Sequence, residues 1–111
     1  MTKDMTLNEY QIYAARTINR SLPPEDILRH GVLGLTAEAG EVAGLFQKVY
    51  QGHALDAEEL KKELGDVLWM VSEICEASGF TLTEVASGNI EKLKKRYPDG
   101  FSAERSVHRD E

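Results

Sequence analysis

The chain has 111 residues, 41% of them apolar and 29% charged, and 19 acidic against 13 basic side chains give a formal net charge of −6. That length fits a single domain over residues 1–111, and the composition excludes a disordered or collagen-like chain. The acidic balance argues against a coat for a nucleic-acid polymer, no apolar run approaches the ~18–20 residues that span a bilayer, and Met1-Thr2-Lys3-Asp4 opens no signal peptide, so a cytoplasmic protein off the membrane is expected.

Thr6-Leu7-Asn8-Glu9 has the spacing of a capping box. It opens a first helix with Leu7, Tyr10, Ala14 and Ile18 at helical spacing, ending before Pro23-Pro24. A second helix starts near Glu25, where the prolines suit a first turn and Glu25 and Asp26 complement the dipole. It carries Ile27, Leu28, Val32, Leu35, Val42, Leu45, Phe46 and Val49 inward and stops by Gly52. Asp56 opens a third, with Leu60, Leu64, Val67, Leu68, Val71, Ile74 and Cys75 on its apolar side and Gly79 at its end. Thr81-Leu82-Thr83-Glu84 is another capping box, for a fourth helix with Val85, Ile90 and Leu93 inward, halted by Pro98. The tail over 99–111 is polar.

No hairpin signal and no sustained alternation interrupts this pattern. Short connections make neighbouring helices antiparallel, so an all-α antiparallel bundle of about four helices follows. One bundle of this size buries a limited core, and a homodimer or homotetramer is expected. Gly34, Gly40, Gly44 and Gly65 each cost ~1 kcal/mol relative to alanine inside a helix, and close helix approach is the expected reason. The lone Cys75 can form no internal disulfide and is expected to be a buried thiol in a reducing compartment. His30, His53 and His108 have no ligand spacing among them and receive no role.

Two carboxylate pairs carry the chemistry. Glu38 and Glu41 share a face of the second helix, and Glu63 and Asp66 repeat the spacing on the third. At ~1.5 Å per residue, both pairs lie roughly 15 Å from the connection between the helices, so folding one helix back on the other brings them to the same height. Acidic pairs at this spacing are also common on solvated faces. Here, however, Leu35-Thr36-Ala37-Glu38-Ala39-Gly40-Glu41-Val42-Ala43 and Glu63-Leu64-Gly65-Asp66-Val67-Leu68-Trp69 set them among apolar and small residues. Four facing carboxylates call for cations, and an oxygen-only set without histidine or thiolate suits Mg²⁺ or Mn²⁺, which commonly bridge to phosphate.

E-x-x-E at 38–41, 21 intervening residues and E-x-x-D at 63–66, with Gly34-Leu35, Asn89-Ile90-Glu91-Lys92-Leu93 and Arg96-Tyr97-Pro98-Asp99-Gly100-Phe101, resemble the all-α nucleoside triphosphate pyrophosphohydrolases, the MazG-like family. The resemblance covers nearly the whole chain. It implies hydrolysis of (deoxy)nucleoside triphosphates to monophosphate and pyrophosphate, as in clearing unwanted nucleotides from the pool. It also implies Mg²⁺ held by Glu38, Glu41, Glu63 and Asp66. Many relatives carry E-E-x-x-E where this chain has Ala37. The missing carboxylate leaves hydroxide on the metal as the expected route, with Glu38 or Glu41 doubling as catalytic base the alternative.

The resemblance places a phosphate-binding role on the fourth helix, where Asn89, Lys92 and Arg96 share a face, and Lys48 is a further candidate. Arg105 and Arg109 are candidates to close over a substrate. For the base, Trp69 can stack or else anchor packing, and Tyr10, Gln11 and Tyr13 can supply ring contact and an amide. Two alternatives stand beside this reading. One is a phosphoribosyl-ATP pyrophosphohydrolase; the other is a non-catalytic helical interaction module whose acidic cluster merely binds a cation, which Ala37 keeps open.

Overall fold

Capping chemistry decides where the helices begin. The computed structural model describes residues 4–108, which form α1 (Leu7–Ala15), α2 (Pro24–Tyr50), α3 (Ala57–Ser78), α4 (Leu82–Arg96) and a short α5 (Ala103–Val107). Both expected capping boxes are complete: Thr6 Oγ1 accepts from Glu9 N at 3.0 Å while Glu9 accepts from Thr6 N at 2.9 Å, and Thr81 and Glu84 do the same. Asp56 caps α3 by accepting from the amides of Glu58 and Glu59. Gly79 ends α3 in the left-handed region at φ 78°, where an L side chain is strained. Among the described residues no helix is long and apolar enough to cross a membrane.

The first helix is shorter than its periodicity suggests. It stops at Ala15, because the amides of Arg16, Thr17 and Ile18 bond three residues back and the Thr17 hydroxyl donates to the Ala14 carbonyl at 2.9 Å. This tighter winding still turns Ile18 inward, where it is buried.

α2 and α3 form the long antiparallel pair on which everything else is mounted. They approach closely at Gly31 and Gly34: a Cβ on Gly31 would sit 2.8 Å from Ile74 Cγ1, and one on Gly34 would run into Met70 Sδ. The expectation of close approach therefore holds at Gly34 and fails at Gly40, Gly44 and Gly65, where an added Cβ meets nothing within 4 Å. Beside Gly31, the carboxylate of Glu73 is buried at 2% exposure and takes a 2.7 Å bond from His30 Nδ1. His30 thus holds a structural partner that its isolation in the sequence did not suggest.

α1 crosses α3 and is pinned there by two side chains. Trp69 Nε1 donates to Thr17 Oγ1 at 2.9 Å and to the Ala14 carbonyl at 3.3 Å. Gln11, buried at 6% exposure, donates to Glu76 Oε1 and the Phe80 carbonyl and accepts from the Leu82 amide at 2.7 Å. One side chain thus joins α1, the end of α3 and the start of α4. The first turn of α4 adds a bond from Thr83 Oγ1 to Asn8.

The enclosed core is small: Ile18, Ile27, Cys75 and Leu82 are its buried apolar residues. Val32, Phe46, Leu64, Val85 and Ile90, all expected inward, are 43–51% exposed, and Leu68 and Leu93 are 39% and 38% exposed. The reason is topological. α4 packs on α1 and not along α2 and α3, so within one chain the long pair keeps an uncovered apolar face.

Two stability changes follow. Gln11→Met keeps the volume but leaves the Phe80 carbonyl and the Leu82 amide without their partner, and should cost about 2–4 kcal/mol in urea unfolding. Gly31→Ala should destabilise by about 1–3 kcal/mol through overpacking, whereas Gly40→Ala, with open space and better helix propensity, should gain up to ~1 kcal/mol.

Candidate metal centre

The register of α2 on α3 follows from the close approach. Gly31 lies against Ile74 and Gly34 against Met70. One further turn along each helix, in opposite directions, brings Glu38 to Asp66, with Glu63 a turn beyond on the same side of α3. One carboxylate oxygen from each of Glu38, Glu63 and Asp66 lies within 4.8 Å of the others. Glu38 and Glu63 are half-buried and Asp66 is exposed. Glu41, exposed on α2, falls outside this tight group but is near enough for its charge to act on Glu63. The structure therefore brings three of the four expected carboxylates into one cluster and sets the fourth at its edge.

The electrostatics show the cost of that assembly. Loss of solvent, and then the charges of Asp66, Glu41, Glu38 and Glu59, push the Glu63 carboxyl above its ordinary value. Tyr10 of α1 feels the same cluster, since burial and the charge of Asp66 raise its hydroxyl. A divalent cation relieves such crowding directly, and the donor set is all carboxylate oxygen, as hard cations prefer. Nothing in the group favours a soft metal.

The comparisons with known proteins bear on the same residues. A family model described as the MazG nucleotide pyrophosphohydrolase domain matches residues 29–101. The chain belongs to this family. The match contains both carboxylate pairs and the basic face of α4, and excludes α1. The chain is also similar to the Gene 37 protein of Mycobacterium phage L5, 31% identical over 78 residues that cover 66% of this chain and 68% of that one. That name does not state an activity. No solved structure matches the chain.

The other candidate residues of this MazG-family chain lie in different places. Tyr10 faces the acidic cluster, as its response to Asp66 shows. Gln11 sits ten residues further up α3, among Glu76, Phe80 and Leu82, with its amide engaged in holding the helix corner. Trp69 donates its N–H to the Ala14 carbonyl in the last turn of α1 and to the Thr17 hydroxyl just beyond it. Asn89 and Lys92 are exposed on α4, and Lys48 is exposed in the last turn of α2. Arg105 donates to the carbonyls of Arg96 and Lys95, capping the end of α4. Arg109 lies outside the described residues.

Glu73, buried near this site, had one sequence signal: an acid inside the apolar run Val71-Ser72-Glu73-Ile74-Cys75. That signal marks burial with a partner, but it does not say that the partner is His30.

The raised Glu63 carboxyl has a definite sign. The folded chain holds that proton more tightly than the unfolded chain, so the contribution of Glu63 to metal-free stability is fully present at low pH and is lost as pH rises through the shifted value. Glu63→Gln should therefore raise the metal-free Tm at neutral pH, with the gain vanishing below the ordinary carboxyl range. Adding Mg²⁺ or Mn²⁺ should raise the Tm of the parent chain and leave the variant's nearly unchanged, as read by scanning calorimetry.

Proposed function

We propose that this chain is a Mg²⁺-dependent hydrolase that converts (deoxy)nucleoside triphosphates to monophosphate and pyrophosphate, acting on unwanted nucleotides in the cytoplasmic pool. Membership of the MazG family supports the reaction class, and one observation carries the reading to this site: the convergence of Glu38, Glu63 and Asp66 within 4.8 Å at the centre of the long helix pair. Carboxylates crowded this way are costly without a cation, and a triphosphate is a ligand that shares one.

Each residue then has a task. Glu38, Glu63 and Asp66 hold the divalent cation, with Glu41 completing the negative set. When bound, that cation neutralises phosphate oxygens and makes water a better nucleophile. The water oxygen bonds to the α phosphorus as the bond to the bridging oxygen breaks, and the electron pair leaves with pyrophosphate. The water's proton needs an acceptor. With Ala37 where relatives carry a carboxylate, we assign that role to Glu41, which stands outside the tight group, with Glu38 as its neighbour one turn away. Asn89, Lys92 and Arg96, on one face of α4, and Lys48 are the proposed phosphate contacts, and Tyr10, beside the cluster, is the proposed contact for the nucleoside. Gln11 and Trp69 support that region by fixing α1 on α3.

A pyrophosphate-release panel over canonical and modified (d)NTPs, and phosphoribosyl-ATP, tests this reading. Release should require Mg²⁺ or Mn²⁺ and stop with EDTA. Glu38→Gln should lose at least ~100-fold in kcat/KM, while Glu58→Gln, on a solvated face, should stay within about twofold. Tight Mg²⁺ binding with no release from any nucleotide would instead favour a cation-binding interaction module.

A further inference from the structure

The seam between α2 and α3 is closed in two different ways within one helical turn. At Gly31 the atoms nearest an added Cβ are Ile74 Cγ1 at 2.8 Å, Glu73 Oε1 at 3.1 Å and the Ile74 backbone nitrogen at 3.4 Å, so the main chains themselves come close. At Gly34 all three nearest atoms belong to the Met70 side chain: its Sδ, its Cε at 2.6 Å and its Cγ at 3.3 Å. A half-buried thioether therefore lies across this glycine and separates the helices there. Gly34 stands four residues before Glu38, and Met70 four residues after Asp66. On both helices the contact is thus about one turn, ~5.4 Å, from the carboxylate cluster.

That position gives the contact leverage over one distance. Glu63 and Asp66 share α3, and their spacing is set within that helix. Glu38 comes from α2, so its reach to the other two depends on how far apart the helices stand. The three oxygens lie within 4.8 Å of one another, and Glu38 and Glu63 are half-buried, which limits how far their side chains can swing to compensate. Adjacent oxygens around Mg²⁺ sit roughly 2.9 Å apart, from bonds of ~2.05 Å at right angles, against about 3.4 Å around Ca²⁺ with its longer and more variable bonds. A change of about half an ångström in the reach of Glu38 separates the two cations.

We propose that Met70, seated on Gly34, is a positioning residue: it sets the reach of Glu38 to Glu63 and Asp66 and thereby selects a small octahedral cation over a larger one. Neither member of the pair is a ligand in this assignment. Glycine offers no side chain, and thioether sulfur is a soft donor unsuited to a hard cation. An unbranched side chain fills an irregular gap with little strain, and only a residue without a Cβ leaves room for it on α2. The inference rests on the cation-binding part of the proposed function and needs no nucleotide.

The affinities of the metal-free, nucleotide-free chain for Mg²⁺ and Ca²⁺, measured by titration calorimetry, test the assignment. Gly34→Ala should wedge the helices apart and raise the ratio of the Mg²⁺ to the Ca²⁺ dissociation constant at least ~fivefold. Met70→Phe, a larger filler from the other helix, should shift the ratio the same way, and it carries the test if Gly34→Ala does not fold. Adding Met70→Ala to Gly34→Ala frees the space and should return the ratio to within about twofold of the parent's. Gly40→Ala, which meets nothing within 4 Å, should leave the ratio unchanged. So should Leu82→Val, which lowers the Tm from a buried site beyond the far end of α3. A packing role alone would weaken both cations alike and leave the ratio at the parent's value, which would overturn the inference, as would a double variant that keeps the shifted ratio. A parent chain that binds neither cation would overturn the proposed metal centre itself. A parent that binds both, with a ratio unmoved by Gly34→Ala and Met70→Phe, would overturn the spacing role alone.

Discussion

The close packing of like charges between two antiparallel helices is the constraint around which this molecule is built. Glu38, Glu63 and Asp66 would separate if α2 and α3 could move apart. They cannot easily do so, because one turn away the Met70 side chain packs onto Gly34, two turns away Gly31 lies against the side chain and backbone of Ile74, and the Glu73–His30 bond clamps the same stretch. Packing energy at the glycine end holds electrostatic repulsion in place at the carboxylate end. The raised Glu63 carboxyl is the trace of that opposition. In the proposed function, the same repulsion would be the source of affinity for a cation and, through it, for a polyphosphate.

The rest of the structure serves this pair unevenly. α1 is fastened by directional bonds through Trp69 and Gln11 more than by apolar area. A corner made from one buried amide with three partners has a well-defined geometry, and it sets Tyr10 over the acidic cluster. α4, which carries the proposed phosphate contacts, is bonded to Gln11 and Asn8 of α1 at its first turn and capped by Arg105 at its far end. The uncovered α2–α3 face arises because a single chain of this size does not enclose both sides of a 27-residue helix.

Much of this was legible before any coordinates. Helix starts were readable because capping is local: Thr6, Asp56 and Thr81 bond to amides two or three residues away. The carboxylate pairs were readable because i,i+3 spacing fixes a face, and because their distance from the interhelix connection predicts the level at which they meet. The end of α1 was not readable, since the periodic signal runs through Ile18 while three tightened hydrogen bonds end the regular helix at Ala15. Nor were the roles of Gly40, Gly44 and Gly65, which share composition and context with Gly34 but face open space.

The sequence by itself determined the all-α class, the helix boundaries set by caps, the family and the set of acidic side chains, because each depends on spacing along the chain or on short-range bonds. The tertiary structure alone decided which three carboxylates converge and that Glu41 stays at their edge. It also committed Gln11 and Trp69 to holding α1, and it left one apolar face of the long pair uncovered. Those outcomes depend on interhelix register and on which surfaces run out of partners, and both are set by contacts between residues tens of positions apart.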